Sequence, residues 1–281
     1  MTERTARNLA AARLRLTNIP GTARVLISDE PGMSLDLAGP DKMLADVRWE
    51  VRDGTLHVEG PKFGGGGVTM INSFGPGRGS TVIRGGSVMV SGVSVVSAGR
   101  QTVITTGGGQ VIVNGKVVGP DCGGGEPGIV ELTVRVPHGT PVGIADDGAG
   151  SYEIGSTRGT LDVRFGGGGS LSAGEVDATR IGVRGSGDVQ IASVQRALRA
   201  DVAGSGDIRV RSGQVGQLQV SIAGSGDVTF GGTAQDADLS IAGSGDIRVD
   251  TVTGSLRKNV SGSGDIDVRV QPARSADDFW T

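Results

Sequence analysis

Short runs of alternating apolar and polar residues cover most of the second half of the chain. They lie on both sides of a tetrapeptide, Gly-Ser-Gly-Asp, that occurs five times. Apolar residues stand one and three positions after each Asp, and mostly small or apolar residues stand nine, seven and five positions before it. Alternation with a period of two is typical of strands with one buried face. The pattern therefore predicts a strand on each side of a Gly-rich turn.

The tetrapeptides recur at an almost constant interval. Successive Asp residues are 19, 20, 19 and 19 positions apart, and Ser170 and Ser151 continue the series upstream. This unit is too short for a strand-helix-strand crossover, which needs about 30 residues, but it fits one coil of a β-solenoid. We expect the glycines to supply a positive φ at each corner. The extra residue of the 20-residue unit is expected in a turn between Val210 and Leu218.

The rest of the chain has other patterns. Alternating runs and the hairpin signal Asp53-Gly54 predict opening strands of the same all-β body. Asp41 to Asp46 predict one helical turn. A Gly-rich stretch with β-branched, nearly uncharged runs predicts an inserted β-hairpin unit, with disorder of this stretch as the alternative. We divide the chain into an N-terminal extension, opening strands, a Gly-rich β insertion, β-helix repeats and a C-terminal tail, at residues 1–12, 13–63, 64–125, 126–270 and 271–281.

Composition excludes several classes of protein. Of 281 residues, 52 are glycine, which disfavours a mainly helical protein, and glycine does not recur at every third position as in collagen. A formal net charge of −3 and 3 % aromatic residues leave no footprint for nucleic acid. No run approaches the roughly 18 apolar residues of a membrane span.

Residues suited to catalysis or cofactor binding are scarce. Neither His57 nor His138 stands in a pattern with a nucleophile or with metal ligands. The Gly-rich run at residues 75–79 lacks the strand-helix context of a nucleotide-binding loop. We therefore predict a protein that is not an enzyme and uses no cofactor. The expected partner is an unidentified protein or carbohydrate, and a homo-oligomer is an open alternative.

The five Asp residues of the repeat form the one constellation of chemical interest. In a solenoid they would stack at about 4.8 Å and would repel one another. One hypothesis is structural, with each carboxylate accepting hydrogen bonds from turn amides. The other is that the column binds cations or a polyhydroxylated ligand. The weak candidate metal ligands are Asp188, Asp207, Asp227, Asp246 and Asp265.

The C-terminal tail contains two of the few aromatic residues, Phe279 and Trp280, directly after two acidic residues. A solenoid must cover its open end, so one interpretation makes the tail a cap. The other makes Phe279 and Trp280 a partner-binding motif.

The repeated Gly-Ser-Gly-Asp-Ile/Val and the N-terminal patterns at residues 18–21, 25–27 and 53–58 resemble the bacterial putative adhesin family, the head GIN domain and its β-strand-repeat relatives. The resemblance covers about residues 13–60 and 140–270. It implies a right-handed, single-stranded parallel β-helix without a catalytic site, often at the cell envelope. The start of the chain has no apolar signal core of about 7–15 residues, which predicts a cytoplasmic location, with the envelope as the alternative.

These observations together predict a non-enzymatic, adhesin-like β-solenoid that acts as a binding or scaffold module. A second hypothesis is self-assembly into oligomers or filaments through the insertion strands or the solenoid ends. A polysaccharide-active β-helix enzyme is a third. It would need a cleft with differentiated carboxylates, which a uniform Asp column does not supply.

Overall fold

The computed structural model describes residues 2–61 and 130–270, together with short strands between them. The chain divides into two compact units, one made of Met1–Phe63 and Ile129–Thr281 and the other of Gly64–Gly128. The first unit begins with six strands and one helical turn. Their bounds are β1 Thr2–Leu9, β2 Arg13–Thr17, β3 Gly21–Ile27, β4 Met33–Gly39, α1 Asp41–Leu44, β5 Arg48–Arg52 and β6 Thr55–Glu59.

The second unit contributes five short strands to the described residues. Their bounds are β7 Val88–Val90, β8 Val93–Val95, β9 Val103–Ile104, β10 Val111–Val113 and β11 Lys116–Val118. Strands β7 and β8 pair antiparallel, and β10 pairs antiparallel with both β9 and β11. The β10–β11 pair brings Val111 opposite Val118 and Val113 opposite Lys116.

The first unit continues with eleven strands. Their bounds are β12 Val130–Val136, β13 Val142–Asp146, β14 Ser151–Ile154, β15 Leu161–Phe165, β16 Ser170–Val183, β17 Asp188–Val202, β18 Ile208–Ile222, β19 Val228–Gly243, β20 Ile247–Val252, β21 Leu256–Gly262 and β22 Ile266–Val270. With β1–β6 they form one 17-stranded sheet within the described residues.

The sheet is wound into a β-solenoid of about seven turns with coils about 19 residues apart, which confirms the predicted fold class. Each coil has two faces. Face A contains the strand segments that follow the repeat corner, and face B contains those that precede it. Ser151, Ser170 and Asp188 are register partners on successive coils, so both serines occupy the Asp position as predicted.

The interior is filled by the apolar positions that the alternation picked out. Val189 and Ile191 on face A and Leu198, Ala200 and Val202 on face B are each at most 2 % exposed. The same positions repeat on each following coil, which gives columns of aliphatic side chains and one continuous core. Burial of each aliphatic side chain stabilises the fold by about 1.5–3 kcal/mol.

The corners are closely stacked, and this is why they contain glycine. A Cβ on Gly226 would lie 2.1 Å from the carbonyl oxygen of Gly206 on the neighbouring coil, and one on Gly224 would lie 2.2 Å from that of Gly204. The expected positive φ is wrong for most of these glycines. Of the ten in the five tetrapeptides, only Gly243 and Gly262 have a positive φ. The constraint is contact between the backbones of neighbouring coils. The glycine positions of the corner therefore exclude a Cβ whatever the φ of the glycine.

The extra residue of the 20-residue coil is a β-bulge. Register is kept from Ser193–Ser212 to Val194–Gly213 and is shifted by one residue at Ala197–Gln217. Pairing with β19 shifts by one residue between Val210 and Gln214. The extra residue therefore lies between Val210 and Gln217, inside the predicted interval. Strand β18 runs through this point, so the insertion is not in the turn that the sequence predicts.

A buried polar group begins the repeat. Asp146 lies in a column that is otherwise apolar and is 1 % exposed; its carboxylate accepts hydrogen bonds from the amides of Gly148 (2.9 Å) and Gly150 (2.8 Å). The Ile19 amide donates to the Tyr152 hydroxyl at 3.3 Å. Burial, and after it the Asp146 carboxylate, raises the pKa of Tyr152, so the phenol stays neutral. The cluster satisfies the polar groups of the first corner.

Antiparallel strands close the N-terminal end. Strand β4 pairs with β12 and β1 on face A, and β5 pairs with β6 on face B. Asp36 on β4 accepts a hydrogen bond from Thr5 (3.0 Å) and forms ion pairs with Arg7 (3.0 Å) and Arg135. Burial alone would raise the pKa of Asp36, but these contacts outweigh it and lower the pKa. Their stabilisation is present above the unfolded-state pKa and is lost as pH falls through the lowered value.

The C-terminal end carries a charge at an interior position. Lys258 on β21 is the register partner of Leu239, which is fully buried. Its ammonium group donates to the carbonyl of Ile266 on β22, the last described strand, at 3.0 Å. An inward-pointing charge on an edge strand opposes pairing with another chain.

The corner contacts predict different effects for two Gly-to-Ala substitutions. Gly226→Ala is expected to lower the free energy of unfolding by about 1–3 kcal/mol, because its Cβ has no room beside Gly206. Gly168→Ala is the control, since Gly168 lies at the middle position of an earlier corner and a Cβ there would have no atom within 4 Å. Its effect should stay within about 0.5 kcal/mol. Chemical denaturation of both variants measures this, and equal midpoints would contradict the stacking explanation.

Candidate functional site

The five Asp residues of the repeat form a column at one corner, and their side chains are bonded along it. Asp188 accepts from the amide of Asp207 at 3.1 Å, and Asp207 from that of Asp227 at 2.9 Å. Asp227 accepts from Asp246 at 2.8 Å, and Asp246 from Asp265 at 3.0 Å. Each carboxylate oxygen thus replaces a backbone acceptor for the next coil. This geometry is the structural hypothesis for the column, with the turn amide supplied by the neighbouring coil.

The earlier coils explain why serine suffices at the same position. The amide of Ser170 donates to the carbonyl of Gly150 (2.9 Å), and the amide of Asp188 to that of Gly169 (3.0 Å). A main-chain carbonyl performs at these corners the task that the Asp carboxylate performs later. The side chain at the corner is therefore matched to the available backbone acceptor.

The hypothesis that the Asp column binds cations gains no geometric support. Among the residues that the structure describes, no group of three or more His, Cys, Asp or Glu side chains could hold a metal ion. One oxygen of each carboxylate from Asp188 to Asp246 is already occupied by an amide of the neighbouring coil. Cation binding by the column stays a prediction.

The other candidate residues lie elsewhere. Phe279 and Trp280 lie outside the described residues, as does the whole tail at 271–281. His57 lies in β6 on face B, and His138 lies in the turn that follows β12. Among the candidates that the structure describes, only the five Asp residues lie together.

A different feature, two open hollows, lies on the outer side of face B. The first has a volume of about 340 Å³, and its lining includes Gly143, Arg15 and His57. The second has a volume of about 500 Å³, and its lining includes Gly182. Ala145, Asp162 and Arg164 line both. We call them the B-face hollows.

The hollows exist because three outward positions carry very small residues, Gly143, Ala145 and Gly182. A Cβ on Gly143 would approach no atom closer than 3.8 Å, and one on Gly182 none closer than 3.9 Å. Neither glycine has a positive φ. Glycine inside a strand reduces stability because it packs no side chain. Unlike the corner glycines, these two are not required by the backbone.

Charged side chains surround the hollows, with cations in excess. The Arg164–Asp162 ion pair (3.0 Å) stands between the two hollows, and Arg199 pairs with Asp201 (3.0 Å) at the edge of the second. Four arginines that line the hollows have no ion pair with a described residue: Arg13, Arg15, Arg180 and Arg184. The remaining acidic residue in the lining is Asp147. The surface is therefore locally positive on a chain with a net charge of −3.

Asp162 has an unusual environment within this group. Its Oδ2 accepts from Arg164, whereas its Oδ1 is buried and has no hydrogen-bond partner among the described residues. An unsatisfied buried acceptor costs about 1–3 kcal/mol. Such groups in native proteins require an explanation other than stability.

The sequence contains a signal for these arginines that the pattern of Asp residues alone does not show. The position eight residues before each repeat Asp is the outward position of face B. Aligned by coil it reads Gly143, Asp162, Arg180, Arg199, Gln219, Asp238 and Arg257. Register pairing confirms this column and places Arg180 directly beside Arg199. At the position two residues after Asp, on face A, Thr229 separates Arg209 from Arg248.

The fold is that of a β-solenoid. Residues 19–213 and 197–272 match the family described as "Putative auto-transporter adhesin, head GIN domain". The two matches cover most of the chain, and the chain belongs to this family. No curated protein matches the sequence.

Solved structures with the same fold come from bacteria. A putative adhesin from Bacteroides fragilis aligns with a TM-score of 0.59 over 95 % of this chain and 96 % of its own, at 15 % identity. A putative adhesin from Parabacteroides merdae aligns with a TM-score of 0.51 over 95 % of each chain, at 10 % identity. At these identities the likeness concerns the fold. Within the described residues, no helix is long and apolar enough to cross a membrane.

The Asp column predicts a difference between two substitutions at one residue. Asp227→Ala should lower the free energy of unfolding by about 0.5–1.5 kcal/mol, because the Asp246 amide loses its acceptor. Asp227→Asn keeps an oxygen at this position and removes one of several stacked charges, so it should unfold at or above the wild-type midpoint. Thermal unfolding with and without calcium measures both effects. A calcium-dependent rise in Tm that Asp227→Asn abolishes would instead support the cation hypothesis.

Proposed function

We propose that this protein is a non-catalytic binding module whose ligand-contacting surface is the outer side of face B around the hollows. The observation that carries the proposal is the pair of adjoining hollows, kept open by two glycines that the backbone does not require. Membership of an adhesin family is consistent with a protein that holds a ligand without transforming it.

The charges around the hollows favour binding over catalysis. Asp162 and Asp201 are each engaged by an arginine, at 3.0 Å in both cases. Hydrolysis of a glycosidic bond needs two carboxyl groups in different environments on opposite sides of the bond. Paired carboxylates that serve to orient arginines fit a binding surface better. This supports the non-enzymatic hypothesis over a polysaccharide-active enzyme.

Location at the cell envelope follows from the same proposal. The family description names an auto-transporter adhesin, and adhesins act outside the cell. The cytoplasmic location expected from the N-terminal residues stays a prediction. Fractionation of the native host into cytosol and envelope, followed by immunodetection, separates the two.

Self-assembly through the solenoid ends is opposed by one observation at the C-terminal end. Lys258 stands where an aliphatic residue would extend the apolar interior to a second copy. Pairing of another chain at this edge would have to bury or displace its ammonium group, which is costly. At this edge the described residues therefore oppose pairing with a second copy.

The proposed binding surface predicts the effect of filling the hollows. Gly143→Tyr and Gly182→Tyr together should leave the melting temperature unchanged or raise it, because a Cβ fits at both positions and Tyr favours strands. They should abolish retention on a panel of purified polysaccharides and on bacterial cell surfaces. Gly216→Tyr is the matched control, since Gly216 is also open but lies outside the hollows.

Two results of this experiment would overturn the proposal. Retention of the filled variant at the wild-type level would show that the hollows are not the binding surface. Absence of retention of the wild-type protein on the panel and on cells would show that it is not an adhesin-like binding module.

The end of the solenoid gives a separate prediction. Lys258→Leu is expected to cause concentration-dependent self-association, because it continues the aliphatic column of Leu239 onto β21. Arg257→Leu removes the same charge from the outward side of β21, where the side chain is 82 % exposed, and should leave the oligomeric state unchanged. Light scattering across a dilution series measures both variants. Assembly of the wild-type protein to the same extent as Lys258→Leu would restore the self-assembly hypothesis.

A further inference from the structure

We propose that the B-face hollows bind an acidic polysaccharide, whose carboxylate or sulfate groups pair with the arginines that line them. This inference rests on the proposed function, because it names the ligand of the same surface. It goes beyond that function in assigning Arg15 and Arg180 as the residues that recognise the negative charges.

The first argument is the imbalance of charge within the hollows. Arg15 lies beside the first hollow and Arg180 beside the second, and neither forms an ion pair with a described residue. Guanidinium groups bind carboxylate and sulfate groups through paired hydrogen bonds. A ligand with anionic groups spaced along a chain can contact both arginines at once.

The second argument is the placement of two arginines on neighbouring strands. Arg180 and Arg199 are register partners, and like charges directly opposite one another destabilise a sheet. Arg199 is held by Asp201 and by Gln219, each at 3.0 Å, so its guanidinium is turned to partners of its own. Arg180 has no such partner among the described residues. An anion over the second hollow would offset the repulsion.

The third argument concerns the groups between the cations. Thr55 and Thr160 line the first hollow, and the Arg164–Asp162 pair divides it from the second. Hydroxyl and guanidinium donors interspersed with a carboxylate acceptor match a ligand that carries hydroxyl groups as well as negative charge. A saccharide chain with acidic groups has both.

Other polyanions fit this surface less well. Single-stranded nucleic acid is bound on exposed aromatic side chains, but Phe165 in the lining of the second hollow is 1 % exposed. An anionic membrane surface is bound by basic residues together with exposed apolar ones. The exposed large apolar residues of the described chain are Leu26, Val51 and Val260, and none of them lines a hollow.

The test compares two double variants with equal loss of charge. Arg15→Gln/Arg180→Gln removes the two cations from the hollows, whereas Arg209→Gln/Arg211→Gln removes two exposed arginines from the segment of β18 that begins on face A. Binding of the full chain to polygalacturonate, dextran sulfate and neutral dextran is measured by biolayer interferometry at low and high salt. Polygalacturonate carries carboxylates and dextran sulfate carries sulfates, so the two arms distinguish the anionic group.

We expect the wild-type protein and the Arg209→Gln/Arg211→Gln variant to bind at least one of the acidic polymers and not neutral dextran. The Arg15→Gln/Arg180→Gln variant should bind at least about tenfold more weakly, because two charge-assisted contacts are lost. Added salt should weaken wild-type binding through screening. Circular dichroism and melting temperature check that all variants are folded.

The contrary outcomes separate this inference from the proposed function. Binding of neutral dextran that Gly143→Tyr/Gly182→Tyr abolishes and Arg15→Gln/Arg180→Gln does not change would overturn the acidic ligand and leave the binding surface in place. Equal loss in both arginine variants would show a nonspecific charge effect and overturn the assignment. Stronger binding to phosphatidylglycerol vesicles or to single-stranded DNA than to either acidic polymer would overturn the choice of a polysaccharide.

Discussion

The close stacking of backbone on backbone at the repeat corners is the constraint on which the rest of the solenoid depends. Glycines of successive corners, such as Gly206 and Gly226, leave no room for a Cβ, so the coils approach to strand distance along their whole length. Parallel register then follows from coil to coil, and each interior position meets its equivalent in the next coil. The Asp carboxylates complete the corner by accepting the amide that the turning chain directs to the neighbouring coil.

Much of this architecture could be predicted from the sequence, because a fixed period with alternating polarity determines which residues share a column. The period even identifies Ser151 and Ser170 as members of the Asp column. The role of the corner glycines could not be predicted in the same way. In the sequence alone, a glycine required because of a positive φ cannot be told from one required because the adjacent coil leaves no room for a Cβ. Only the distance to the adjacent coil, as at Gly226, tells them apart.

The proposed binding surface was harder to predict for a related reason. The column at eight positions before Asp was available in the repeat, and it would have shown Arg180 beside Arg199. The first hollow, in contrast, combines β2 and β6 with β13, and these strands are separated by the whole second unit along the chain. Arg15 and Gly143 become neighbours only because β2 is the coil below β13. No repeat pattern links them in the sequence.

The same coils thus separate two kinds of charged surface. At the corner, the carboxylates of Asp188 to Asp246 each accept a backbone amide of the next coil, so their positions are dictated by the fold. On face B the outward side chains take no part in holding the coils together, so their identity is free to differ from coil to coil. A Cβ would fit at Gly143 and Gly182, so the fold does not require glycine at either position. These two glycines line the hollows together with Arg15 and Arg180, and they depart from the repeat. In a protein built from a regular repeat, the irregular positions are those that folding does not explain, and this is the physical ground for placing function on face B and not along the Asp column.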